Sequence, residues 1–144
     1  MRALLDINVL LALLDEDHIF HHRAHELFGR NQSHGWASCP LTENSLVRIR
    51  TNPNYHPVKE RSVAEMIEGL RVFVTSSDHE CWPDDFSIRD PAHDNPSMIF
   101  GPRQITDLYL LALAAAHRGR LVTLDEGLNP GAVPGAKPEH LWVV

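Results

Sequence analysis

Four carboxylates far apart in the chain, Asp6, Glu43, Asp107 and Asp125, each stand where an apolar run ends or a helix begins. Asp6 follows Ala3-Leu4-Leu5, and Asp125 follows Leu121-Val122-Thr123-Leu124. Glu43 falls just after Pro40, which suits the first position of a helix, and Asp107 just after Thr106, a good helix cap. Taken singly, each acid reads equally well as a turn residue or as a partner of the helix dipole. Taken together, they occupy the positions that converge on one rim of a parallel sheet, beyond the carboxyl ends of the strands. Carboxylates that close repel by about 4 kcal/mol per pair at 4 Å and an effective dielectric near 20. A cation must offset that, or some of the acids must take up protons. Oxygen-only ligands favour Mg²⁺ or Mn²⁺ over zinc. Such an ion keeps waters, binds phosphate oxygens and activates a water for in-line attack. The chemistry implied is metal-dependent phosphodiester hydrolysis.

A second group with chemical potential is His18, His21, His22 and His25, spaced three and four apart. Helical spacing of that kind makes a zinc site, but no cysteine or acid completes the shell, and an exposed or interface helix is the competing reading. Cys39 and Cys81 have no metal-type spacing, and free thiols in a cytoplasmic chain are the expectation. The net charge of −6 argues against a protein that holds nucleic acid through a broad basic surface. It leaves open an enzyme that meets nucleic acid through metal ions. Only Lys59 and Lys137 are lysines among 13 basic residues, and arginines favour bidentate phosphate or carboxylate contacts.

The elements that must place these residues follow from pattern. With 144 residues, 43% of them apolar, residues 1–144 make one domain with a proper core. Ala3–Leu5 is a buried strand, and Asn8 caps a helix over Val9–Leu14 that is apolar nearly all round. His18–Arg30 reads as an amphipathic helix, Gly35–Cys39 as a strand and Pro40–Arg50 as a helix. Thr51–Pro57 is a loop, and Val58–Val74 a helix with Val63, Ile67, Leu70 and Val74 on one face. His79–Trp82 is an edge strand, and Asp84–Pro102 a long surface loop whose acids Asp84, Asp85, Asp90 and Asp94 are solvated. A buried helix starting at Thr106 then runs to Arg118, with Gly119 as a left-handed cap, followed by the strand Leu121–Leu124 and a last strand, Leu141–Val144. Alternating strands and helices give an α/β fold of three layers, a central mostly parallel sheet flanked by helices. No apolar run is long enough to span a bilayer, and acids at Asp6, Asp15, Glu16 and Asp17 break up any signal-peptide pattern. A soluble cytoplasmic protein with no membrane partner is expected.

Four segments resemble, in order, the motifs of PIN-domain proteins: Leu4-Leu5-Asp6-Ile7-Asn8-Val9-Leu10, Thr42-Glu43-Asn44, Ile105-Thr106-Asp107 with the apolar run to Ala114, and Leu121-Val122-Thr123-Leu124-Asp125. Within that family the chain is most similar to the VapC-type toxins of bacterial toxin–antitoxin pairs, over nearly its whole length. The resemblance implies a Mg²⁺-dependent endoribonuclease (Mn²⁺ being an alternative ion) that leaves 5′-phosphate and 3′-hydroxyl ends. It maps the catalytic and metal-binding quartet onto Asp6, Glu43, Asp107 and Asp125, with Asn8 and Thr123 as supporting groups. It also implies a homodimer and a small cognate antitoxin lying near the acids. On this reading Asp6, Glu43 and Asp107 bind the ion, Asp125 completes the shell or orients water, and Arg103 with Arg48 or Arg50 contacts RNA phosphates.

Rival readings share parts of this pattern. A haloacid-dehalogenase-type phosphatase needs a second Asp where this chain has Asn8, and a lysine near the site. A receiver-type domain also wants a strand-end lysine. A nucleotide-binding module lacks its Gly-rich loop here. A catalytically silent RNA- or protein-binding module of the same fold is the alternative from another class.

Overall fold

The computed structural model describes residues 1–56, 58–90, 95–98 and 101–144. Pro57 of the expected loop and Asp94 of the expected acidic loop lie outside the described residues. The chain builds a five-stranded sheet in the order β3-β2-β1-β4-β5, with β1 at Ala3–Leu5, β2 at Trp36–Ser38, β3 at His79–Cys81, β4 at Arg120–Thr123 and β5 at Leu141–Val143. Every pairing in it is parallel. The first strand is central, and its partner β4 comes from the far end of the chain, with Leu5 beside Val122. That pairing carries Asp6 and Asp125 to the same edge.

Side chains alternate across the sheet, as the pleat demands. Ala3, Leu5, Trp36 and Val122 face one core, with residues of α1 (Ile7–Leu14), α2 (His21–Asn31), α3 (Pro40–Arg50) and α4 (Val63–Thr75). Leu4, Ala37 and Leu121 face the other, formed by Leu108–Ala114 of α5 (Ile105–Ala116) with Leu128, Ala132 and Val133. The three expected layers are therefore present. No helix among the described residues is long and apolar enough to cross a membrane.

Several helix ends differ from the sequence expectation, each for a local reason. Asp6, not Asn8, caps α1: its backbone is extended and its carboxylate accepts from the Ile7 N–H. Asn8 is drawn off by β4 instead. α2 starts at His21 rather than His18, because a ring nitrogen of His18 accepts from the Phe20 N–H and holds a preceding turn. α4 starts at Val63 rather than Val58. Ser62 Oγ accepts from the Glu65 N–H at 3.2 Å and Glu65 Oε2 accepts from the Ser62 N–H at 2.8 Å, a reciprocal capping box. That helix buries Met66 and Leu70, while Val63 and Ile67 stay exposed. Thr106 does not cap α5. A 3₁₀ turn, Pro102–Gln104, runs straight into the helix and leaves Thr106 inside it.

At the other end of α5 the left-handed residue is Arg118, with φ 56°, and not Gly119. Gly119 is required for a different reason. A Cβ there would lie 2.5 Å from Trp82 Cη2 and 2.8 Å from the Arg2 carbonyl oxygen. Asp84 is also more than a solvated acid: Oδ2 accepts from the Leu41 N–H at 2.9 Å and so serves the N-terminus of α3.

Candidate active site

Asp6 is buried at the end of β1, and both of its oxygens are engaged. Oδ1 accepts from the Ile7 N–H at 2.6 Å, and Oδ2 accepts from the Thr123 hydroxyl at 2.7 Å. The same hydroxyl oxygen accepts from Asn8 Nδ2 and from the Asp125 N–H, both at 3.1 Å. Asn8 Oδ1 accepts in turn from the Leu124 N–H at 3.1 Å. Thr123 and Asn8 thus lace the end of β1 to the end of β4 and fix Asp6 and the Asp125 backbone relative to one another.

Asp107, in the first turn of α5, faces this pair from the opposite layer. Burial, then the negative charges of Asp6 and Asp125, push its carboxyl up to about 7. Asp6 is raised as well, by burial first and by Asp125; hydrogen bonds from Thr123, Ile7 and Asn8 oppose the shift. Each of these carboxylates therefore sits in the field of the others. Asp125 is exposed, and its Oδ1 accepts from the Gly127 N–H at 2.7 Å, so it is a turn residue as well as a site residue.

Glu43 has a partner of its own on β2. Its Oε1 accepts from the Ser38 hydroxyl at 2.5 Å, and its charge acts on His79 and Cys81. Among the described residues no three His, Cys, Asp or Glu side chains lie close enough to hold a metal ion between them. Protein donors reach both Asp6 oxygens, one Asp125 oxygen and one Glu43 oxygen. The donor set still suits a hard divalent cation. All the donors are oxygens, the acids repel one another, and Mg²⁺ takes only one or two carboxylates directly while keeping its waters.

The arginines divide. Arg50 is 3% exposed and is not available to RNA. Its Nε lies 3.8 Å from Asp15 Oδ2, its Nη1 donates to the Lys59 carbonyl, and its guanidinium covers the Tyr55 ring. A buried arginine needs such partners, and Asp15 supplies the charge. Arg48 is exposed on α3, beside Glu43, in a groove of about 650 Å³ walled by Val63 and Ile67 of α4. Arg103 is exposed on the turn leading into α5.

Two of the four histidines, His21 and His25, close a helix end, and among the described residues no three His, Cys, Asp or Glu side chains are grouped to hold a metal ion. A ring nitrogen of His21 lies 2.8 Å from the Ala12 carbonyl, and one of His25 lies 3.1 Å from the Leu13 carbonyl. These are among the last carbonyls of α1, which have no partner within the helix. Sequence reasoning does not single out Ser38 or His79. Ser38 is a strand-end hydroxyl, like Thr123, and that shared position is the one signal available; His79 reaches the site only through the pairing of β2 with β3.

The model of the PIN domain matches residues 3–130. Among curated proteins, the chain is 47% identical over 142 residues to Ribonuclease VapC44 of Mycobacterium tuberculosis, covering 98% of both chains. It is 43% identical over 129 residues to Ribonuclease VapC38 of the same species, covering 88% of this chain and 86% of that one. Among solved structures, it resembles a chain of the VapBC2 complex of Rickettsia felis bound to a promoter DNA fragment. The TM-score is 0.52 and the identity 17%, covering 88% of this chain and 90% of that chain.

Proposed function

For a chain that belongs to the PIN-domain family, as this one does, we propose an endoribonuclease dependent on Mg²⁺ or Mn²⁺, acting as the toxin of a toxin–antitoxin pair. The observation that carries the chemistry is the crowding of Asp6, Asp107 and Asp125, where burial first, and then the charges of Asp6 and Asp125, push Asp107 up to about 7. A divalent ion offsets those charges, and when bound it polarises a phosphate oxygen and lowers the pKa of a water. Asp6, Glu43 and Asp107 would hold the ion, directly or through water. Asp125 orients water at the exposed edge. Thr123 and Asn8 keep Asp6 in register, and Arg48 and Arg103 offer donors to RNA phosphates on the flanks. The ribonuclease relatives support RNA as the substrate, and the likeness to a chain of the VapBC2 complex supports a small antitoxin as partner. A homodimer and a cytoplasmic location complete the proposal.

The deciding experiment is digestion of RNA with Mg²⁺, with EDTA, and with Asp6→Asn and Asp107→Asn. Cleavage by the wild type alone, and only with the metal, is expected. Cleavage at the wild-type rate by either variant defeats the assignment. If the wild type leaves RNA intact and Mn²⁺ does not raise its melting temperature, a silent binding module of the same fold replaces the nuclease.

A further inference from the structure

Glu43 is approached by a chain of two hydrogen bonds that begins on the edge strand. Ser38, fully buried at the end of β2, has one hydroxyl proton, and it points at Glu43 Oε1 over 2.5 Å. The same hydroxyl oxygen lies 2.8 Å from His79 Nε2. A hydroxyl that donates its only proton to a carboxylate must receive from its other neighbour. The contact therefore requires the proton of a neutral His79 ring on Nε2. The order is His79 Nε2–H to Ser38 Oγ–H to Glu43 Oε1, with both bonds pointing the same way.

The rest of the surroundings fix the ring. His79 lies on β3 beside Trp36 of β2 in the parallel register, and the two rings stand 4.4 Å apart. Burial lowers the basicity of His79, the Glu43 charge opposes that, and Arg2 and Glu80 act from beside β1 and from β3. Trp36 is itself held, its indole N–H donating to Ser77 Oγ at 2.9 Å. The hydrogen bonds of Asn8 and Thr123 hold Asp6 and the Asp125 backbone, whereas the hydrogen bond to Glu43 comes from Ser38.

We propose that His79, acting through Ser38, is a positioning residue for Glu43: the relay commits Oε1 to the protein and so sets the rotamer in which Glu43 meets the metal. The proposal rests on the nuclease reading of Glu43. Partners of this kind around metal ligands are worth roughly 10- to 100-fold in metal affinity or activity.

The test uses the full chain with His79→Phe, which keeps a ring and removes the donor, His79→Gln, which places an amide N–H near Nε2, and Ser38→Ala. Mn²⁺ affinity is measured by titration calorimetry, and RNA cleavage is measured as kcat and KM separately. The expected result for His79→Phe and Ser38→Ala is Mn²⁺ binding weakened about 10-fold and kcat lowered by a similar factor, with KM for RNA unchanged. His79→Gln recovers most of both, and the double variant His79→Phe/Ser38→Ala is no worse than Ser38→Ala alone. His79→Phe with wild-type Mn²⁺ affinity and kcat overturns the proposal. So does a double variant that loses the sum of the two single losses, because the two residues then act separately. If His79→Phe lowers the melting temperature and blurs its reading, the gap between His79→Gln and Ser38→Ala decides: equal losses in both overturn the relay. A wild-type chain that neither binds Mn²⁺ nor cuts RNA instead refutes the nuclease reading. Retained wild-type cleavage by Asp6→Asn does the same, so the two failures are separable.

Discussion

Asp107 bears the conflict among the acids, and its protonation gives the site a pH signature. In the native state its carboxyl keeps a proton up to about 7, against an ordinary value of 3.8. Between those limits the folded chain binds more protons than the unfolded one, so metal-free stability falls as pH rises from about 4 to 7. Asp107→Asn removes the charge. In EDTA at pH 8 it is expected to raise the melting temperature by roughly 2–4 °C, the equivalent of about 1 kcal/mol. That gain shrinks as the pH drops towards 5, where Asp107 is already neutral. A thermal melt at two pH values checks this, and an equal gain at both would contradict it. Arg50 shows the opposite use of charge. Removing its partner with Asp15→Ala leaves a buried guanidinium uncompensated and should cost about 3–5 kcal/mol, readable in a urea titration.

At the scale of elements, the parts stated by local chemistry were legible and the parts stated by distant neighbours were not. The five strands, the buried character of α1 and α5, and the proline that opens α3 are all visible in short runs of sequence. The start of α4 was legible as well, in Ser62 and Glu65, but the apolar Val58 pointed further upstream. Asn8 as a cap, Arg50 as an RNA contact and Gly119 as a left-handed residue all failed for one reason. Each is claimed by a partner from another element: Thr123 and Leu124, Asp15, and Trp82 with the Arg2 carbonyl. The acids were legible as candidates because strand ends share an edge. The partners of Glu43 were not legible, because Ser38 and His79 come from different strands that no spacing rule connects. Gly119→Ala tests the close packing at the end of α5. Its methyl would press on a tryptophan ring and a backbone oxygen, and a loss of about 1–3 kcal/mol is expected in equilibrium unfolding.

For the whole molecule, the proposed ion is a structural tie as well as a chemical one, because its carboxylates come from both faces and the middle of the sheet. Mn²⁺ at about 100 times its Kd is expected to stabilise the fold by roughly 2.7 kcal/mol, and Asp6→Asn to abolish most of that gain. A melt with and without the metal measures both. The pairing of β1 with β4 has a further consequence, in time rather than space. The ribosome releases Asp6 early, yet the strand that completes its surroundings, Arg120–Thr123, is made after the chain has passed α5. On the proposed reading, a half-translated copy therefore has no complete acid site. A nascent chain stalled at residue 110 should leave RNA uncut, and any partner synthesised alongside gains that interval before there is anything to restrain.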